Sequence, residues 1–332
     1  MTADISSNRR YWLLTSPRTA SNLLVRILNL EEQGTRPALR GGYFFLSKVM
    51  GQAKLYSKPA QEWTPEQFAS IDETARNCFN NLQDYVEAAT ESGEKIFVKE
   101  HVFFLNSLYA EAEYLGGGKI PRPVNAVEPM RGLTHATQSP LNLTCLPDEF
   151  LKTWHPTFLI RHPAAVLPSL YRTAQRNSET ADMVRQQSEP FEIEASSRFA
   201  RTLYDFYREH FGRDSQWPIV LDADDIMTSP DLITKYAGLV DLDPSKLQFS
   251  WERVSKEAED KMGPLERIMF GTINSSTGVD KGKVAGDVDI DAEIAKWRSE
   301  FGKGSEKLER WVREGMPDYE YLHARRLRVD LN

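Results

Sequence analysis

Four short apolar runs recur along the chain, each bounded by turn or charged residues: Tyr11–Thr15, Lys95–Lys99, Thr157–Arg161 and Pro218–Asp222. Runs this short and this continuous are the pattern of strands buried on both faces, as in a parallel sheet. Apolar residues then return at three- and four-residue spacing over Asn22–Glu31, Pro163–Gln175, Ser196–Phe211 and Pro230–Leu239, which predicts helices with one buried face. Pro163 and Pro230 stand where a first helical turn needs no N–H. The alternation predicts an α/β fold, a central and mostly parallel sheet flanked by helices on both faces, with ligands at the carboxyl ends of the strands.

Polar or Pro/Gly-rich stretches interrupt this alternation at 36–65, 116–142 and 178–192 and are expected to be long loops that shape a pocket. From about 289 to 316 the pattern predicts two helices with charged faces, and the tail bearing His323, Arg325, Arg326 and Arg328 reads as a solvated basic face. No internal repeat divides the chain, so a single domain over 1–332 is the expected organisation.

Composition narrows the partners. The 332 residues carry 41 Lys plus Arg against 48 Asp plus Glu, a net charge of −7, and 40% hydrophobic residues. That balance supports a folded core and supplies no global field for nucleic acid or an anionic membrane, so an anionic ligand needs a local cluster of donors. Two cysteines, Cys78 and Cys145, are too few for a disulfide framework or a Cys-based metal site and suit a reducing compartment. The apolar run Trp12–Leu14 is far too short for a signal peptide, and no window approaches about 18 apolar residues, which together point to a soluble, cytoplasmic protein.

Three strand ends carry chemistry. Thr15-Ser-Pro-Arg-Thr-Ala-Ser-Asn22 joins a strand to a helix through small residues, a place where main-chain N–H groups and the helix dipole attract phosphate or sulfate, with Arg18, Thr19, Ser21 and Asn22 adding donors. The pattern of a magnesium-dependent nucleotide hydrolase, GxxxxGK[ST], is absent. In Phe97-Val-Lys-Glu-His101 the strand period of two places Lys99 and His101 on one face and Glu100 on the other. A neutral imidazole takes a proton from a hydroxyl while an ammonium stabilises charge on a leaving oxygen. In the third segment Arg161 ends a strand and Ser169 lies about two turns into the next helix. That pair can clamp a phosphate; equally, Arg161 can bind a carboxylate and Ser169 can bond back to its own helix. Asp222, Asp224 and Asp225 read as helix caps and dipole partners rather than as metal ligands.

The order Pro-Arg-Thr-Ala-Ser-Asn after the first strand, Lys-x-His at a later strand end, and Arg161 with Ser169 across a strand–helix junction resembles the cytosolic sulfotransferases, a family with a P-loop-type sheet. The likeness extends from Tyr11 to about Asp287. It implies transfer of a sulfuryl group from 3′-phosphoadenosine-5′-phosphosulfate (PAPS) to a hydroxyl or amine of a small-molecule acceptor, with no metal. By resemblance, Arg18 takes the place of the P-loop lysine, and Thr19, Ala20, Ser21 and Asn22 complete the loop around the 5′-phosphosulfate. His101 matches the general base and Lys99 the lysine beside it. Arg161 and Ser169 match the pair that holds the 3′-phosphate, and Lys281 and Lys283 lie in a stretch, Lys281-Gly-Lys-Val-Ala-Gly-Asp287, similar to the loop that closes over it.

Two positions depart from the family. Leu23 stands where a tryptophan stacks on adenine, and Ala223 where a tyrosine follows the fourth strand. They motivate an alternative in which the fold is kept but no sulfate is transferred, the site instead performing acid–base chemistry such as a cyclisation or binding a phosphorylated ligand. Neither reading calls for a nucleic-acid or membrane partner, and the acceptor and the oligomeric state have no signature in the chain.

Overall fold

A computed structural model of the chain describes residues 9–123, 126–178 and 191–329. The four expected strands are present as β1 (Arg10–Thr15), β2 (Ile96–His101), β3 (Trp154–Ile160) and β4 (Ile219–Asp222). They form a parallel sheet in the order β2-β1-β3-β4 with helices around it. Every residue of β2 and β4 is buried, as the continuous apolar runs require. Strands β1 and β2 pair in register from Arg10 against Ile96 to Thr15 against His101. The connection from β2 to β3 carries the chain past β1, so the strand order reverses there.

Two compact units are formed, each from separate stretches of chain. The first comprises the chain through Ser16, Gly34–Phe158 and Arg198–Ile219; the second comprises Pro17–Gln33, Leu159–Ser197 and the chain from Val220 onward. In the first unit Trp12 packs on Trp154, with ring centroids 4.6 Å apart, and meets Phe150 edge-on at 6.4 Å. A second apolar cluster there joins Trp63, Phe68, Leu108 and Tyr109. The core of the second unit unites Leu167, Leu170 and Tyr171 of the Pro163–Ser178 helix with Trp297, Phe301, Leu308 and Trp311.

Several expectations change. The 36–65 stretch is not an open loop: short helices span Leu39–Gly42, Leu46–Gln52, Leu55–Ser57 and Ala60–Glu62, and Phe44, Phe45 and Lys48 of this stretch are buried. Immediately after it runs a 28-residue helix, Pro65–Ser92, that the strand–helix alternation did not anticipate. Its signals are local. Thr64 and Gln67 form a reciprocal capping box, Pro65 occupies the first turn, and Gly93, at φ 68°, ends the helix in the left-handed conformation that favours glycine. The 116–142 stretch is irregular among its described residues apart from the end of the Glu113–Gly117 turn, whereas most of 178–192 lies outside the described residues. The two C-terminal helices run Ile290–Phe301 and Gly304–His323, so the second continues past 316. Arg326 of the tail is not a solvated cation, because its Nε pairs with Asp225 at 2.7 Å.

Candidate active site

The chemistry-bearing residues fall into two clusters, one in each unit. In the first, Lys99, Glu100 and His101 end β2, and their exposures of 5%, 0% and 4% mean that each must be satisfied internally. Glu100 is turned to the main chain, accepting the N–H of Phe45 and that of His101, each at 3.1 Å. The imidazole is held at both nitrogens: Thr15 Oγ1 lies 2.7 Å from Nδ1 and the Tyr43 hydroxyl 3.2 Å from Nε2. Rings of Tyr43, Phe103 and Phe104 pack around it with centroids at 4.9, 5.9 and 5.1 Å. Lys99 Nζ sits 4.5 Å from the centroid of the Tyr43 ring, a cation–π contact. Gly42, at φ +111°, lets the chain before Tyr43 lie against Lys99, since a Cβ there would come within 2.8 Å of the Lys99 nitrogen.

Burial dominates the electrostatics of this cluster. It drives His101 from 6.5 down to about 3, with the Lys99 charge adding to the effect. It also lowers Lys99 to about 8 against the attraction of Glu100, and raises Glu100 to about 8. Near neutral pH the cluster therefore holds a neutral imidazole beside a charged ammonium, a proton acceptor next to a site for developing negative charge.

In the second unit the turn ahead of the Ser21–Leu28 helix holds Arg18 at φ 67° and Ala20 at φ 62°. Left-handed backbone at non-glycine residues costs roughly 1 kcal/mol or more each and persists where the surroundings over-determine it, which is common at ligand clamps. The helix N-terminus carries no side-chain cap, the arrangement in which first-turn N–H groups receive an anion. Arg18 Nε donates to Ser169 Oγ at 3.0 Å. Arg161 donates through Nη1 to the Arg18 carbonyl at 3.1 Å and through Nη2 to the Lys283 carbonyl at 2.6 Å. The Lys281–Lys283 turn is capped by Asp280, and Asp224 accepts the N–H groups of Ala285 at 3.0 Å and Gly286 at 2.9 Å. Three stretches far apart in sequence thus meet around one guanidinium. Burial lowers the Arg18 pKa, and repulsion from Arg161 and Arg176 lowers it further, so a shared anion would relieve the cluster.

No protein-family model matches the chain. It is 39% identical to the sulfotransferase ppzF of Metarhizium majus (strain ARSEF 297) over 351 aligned positions, which cover 99% of this chain and 100% of the relative. The sulfotransferase ppzF of Metarhizium rileyi (strain RCEF 4871) is also 39% identical, over 349 positions and 99% of both chains. The chain belongs to the sulfotransferase family. Among solved structures, the sulfotransferase domain from the Synechococcus PCC 7002 olefin synthase matches with a TM-score of 0.37 and 14% identity, over 92% of this chain and 96% of that one.

In this sulfotransferase-family chain, Lys99 and His101 share one cluster, and Arg18 to Asn22, Arg161, Ser169, Lys281 and Lys283 share the other. Ser169 accepts from Arg18, and the Arg161 guanidinium donates to the carbonyls of Arg18 and Lys283. Lys283 contributes its carbonyl to the cluster, while its ammonium lies 3.9 Å from Asp280. Ala223 is fully buried at the start of the Ala223–Thr228 helix and presents nothing to a ligand. The three aspartates divide their work, Asp222 capping that helix at 2.8 Å, Asp224 holding the loop and Asp225 pairing with Arg326. Thr15 and Tyr43 escaped the sequence reading. The strand ends carried a usable signal for Thr15, because in-register pairing places it beside His101; Tyr43 sits in a stretch without periodicity and had none.

Proposed function

We propose that this chain transfers a sulfuryl group from PAPS to a hydroxyl or amine of a small-molecule acceptor. The observation that supports it most is the meeting of the Arg18 turn, Arg161 and the Lys281–Lys283 turn around a single guanidinium, since a bisphosphorylated nucleotide demands donors from several strand ends. In this reading Arg18, Thr19, Ala20, Ser21 and Asn22 bind the 5′-phosphosulfate. Arg161, with Ser169, Lys281 and Lys283, binds the 3′-phosphate. His101 takes the acceptor proton, and Lys99 and Arg18 stabilise the negative charge left on the phosphate as its bond to sulfur breaks and the bond from acceptor oxygen to sulfur forms. The low pKa of His101 keeps the imidazole neutral while weakening it as a base, and an anionic donor near Lys99 would restore basicity by offsetting part of the charge that depresses it. A reducing, cytoplasmic setting accords with Cys78 and Cys145 being buried free thiols, and among the described residues no helix is long and apolar enough to cross a membrane.

Calorimetric titration with 3′-phosphoadenosine-5′-phosphate, followed by an acceptor screen with labelled PAPS, tests the assignment. Binding should weaken by about 10- to 100-fold in Arg161→Ala, the worth of charge-assisted hydrogen bonds. Turnover should fall by roughly 10²- to 10⁴-fold in His101→Ala. Absence of nucleotide binding by the unaltered chain overturns the proposal.

A further inference from the structure

We propose that Thr15 is a positioning residue that holds His101 in its Nδ1–H tautomer and thereby makes Nε2 the nitrogen that receives the acceptor proton. The inference rests on the reading of His101 as the base and adds which end of the ring acts and why. A threonine hydroxyl has one hydrogen to give. Thr15 Oγ1 lies 3.3 Å from the Glu100 carbonyl oxygen, which can only accept, and 2.7 Å from His101 Nδ1. The assignment that serves both contacts sends the Thr15 hydrogen to the carbonyl and leaves a lone pair on Oγ1 to accept Nδ1–H. The opposite tautomer would set two oxygen lone pairs against each other at 3.3 Å with no hydrogen between them. Neither partner can easily turn away, because the carbonyl is part of β2, Thr15 is paired with His101 in the ladder, and both side chains are buried.

With Nδ1 as donor, Nε2 of the neutral ring carries the lone pair. The Tyr43 hydroxyl, 3.2 Å away, is then its hydrogen-bond donor and occupies the position that an acceptor hydroxyl must take. On transfer the acceptor proton passes to Nε2, giving an imidazolium whose Nδ1–H still points at Thr15. The freed oxygen electron pair forms the bond to sulfur, and the electrons of the broken sulfur–oxygen bond leave with the phosphate.

Nitrogen-15 spectra of the full chain labelled at histidine decide the matter, with the His101 signal among the six histidines assigned by its loss in His101→Gln. The unaltered chain should show a protonated Nδ1 and an unprotonated Nε2. Thr15→Val, similar in shape but without the oxygen, should shift His101 toward Nε2–H and lower kcat about tenfold, with the KM for acceptor and the nucleotide Kd unchanged. Thr15→Ser should restore both. An Nε2–H ring in the unaltered chain, or an unshifted tautomer in Thr15→Val, overturns the proposal. The spectra need no turnover, so the two readings fail separately: full activity in His101→Ala removes the base assignment, whereas an inactive His101→Ala with a tautomer indifferent to Thr15 removes only this one.

Discussion

Thr15 and His101 are register partners at the carboxyl ends of β1 and β2, and their side chains meet at 2.7 Å although 86 residues separate them in sequence. Paired strands run about 4.8 Å apart, so the ladder itself delivers a hydroxyl to an imidazole nitrogen. The same ladder sets Lys99 two residues back on the same face, where its charge reaches the ring.

The pH dependence of sulfotransfer should carry the mark of this burial. His101 titrates at about 3, so kcat/KM should stay flat well below pH 6.5, where an ordinary histidine would already be protonated. Lys99 loses its proton at about 8, so the alkaline limb should fall near there. Lys99→Arg, which keeps its charge at any accessible pH, should move that limb upward. An acid limb near 6.5 would show that burial does not depress the imidazole in this way.

Glu100 makes the stability of the fold depend on pH. Its folded pKa of about 8 lies above the ordinary 4.5, so between those values the folded state holds a proton that the unfolded state has released. The stability it contributes is fully present below about pH 4.5 and is lost as pH rises through about 8. Glu100→Gln, which mimics the neutral acid, should therefore gain on the unaltered chain with rising pH. Denaturant midpoints measured from pH 5 to 8 test the sign, and a constant difference would refute it.

Gly42 should tolerate no side chain. Alanine there combines a left-handed φ with contact against the Lys99 main chain, which cannot move without disturbing β2. Gly42→Ala should cost roughly 2 to 4 kcal/mol in unfolding free energy, while Gly41→Ala, where φ is also positive but a Cβ meets nothing within 4 Å, should cost less.

Ser169 should matter through Arg18. Ser169→Ala removes the acceptor on Arg18 Nε and frees the guanidinium from its fixed orientation. The Kd for 3′-phosphoadenosine-5′-phosphate should rise about tenfold with the melting temperature little changed. An unchanged Kd would mean that the orientation of Arg18 is set by Arg161 and the turn alone.

Local pattern carried much of the architecture. The four strands and the helices after β1, β3 and β4 were legible because short continuous apolar runs and a period of about 3.6 are written within a few consecutive residues. The same locality put Lys99 and His101 on one face of β2 and Arg18 at a strand–helix turn. The Pro65–Ser92 helix shows that a local signal can be present and go unread, since its capping box and apolar spacing are as plain as those of its neighbours.

What the chain determined by itself was therefore the set of elements and the residue types at their ends. Tertiary structure alone decided the partners: Tyr43 reaching His101 across 58 residues, Arg161 reaching the Arg18 carbonyl across 143, and Ser169 answering Arg18 across 151. The physical reason is one of range. A dihedral preference or an apolar repeat acts on near neighbours, whereas which donor meets which acceptor depends on how buried surfaces from distant segments pack, and no single segment contains that information.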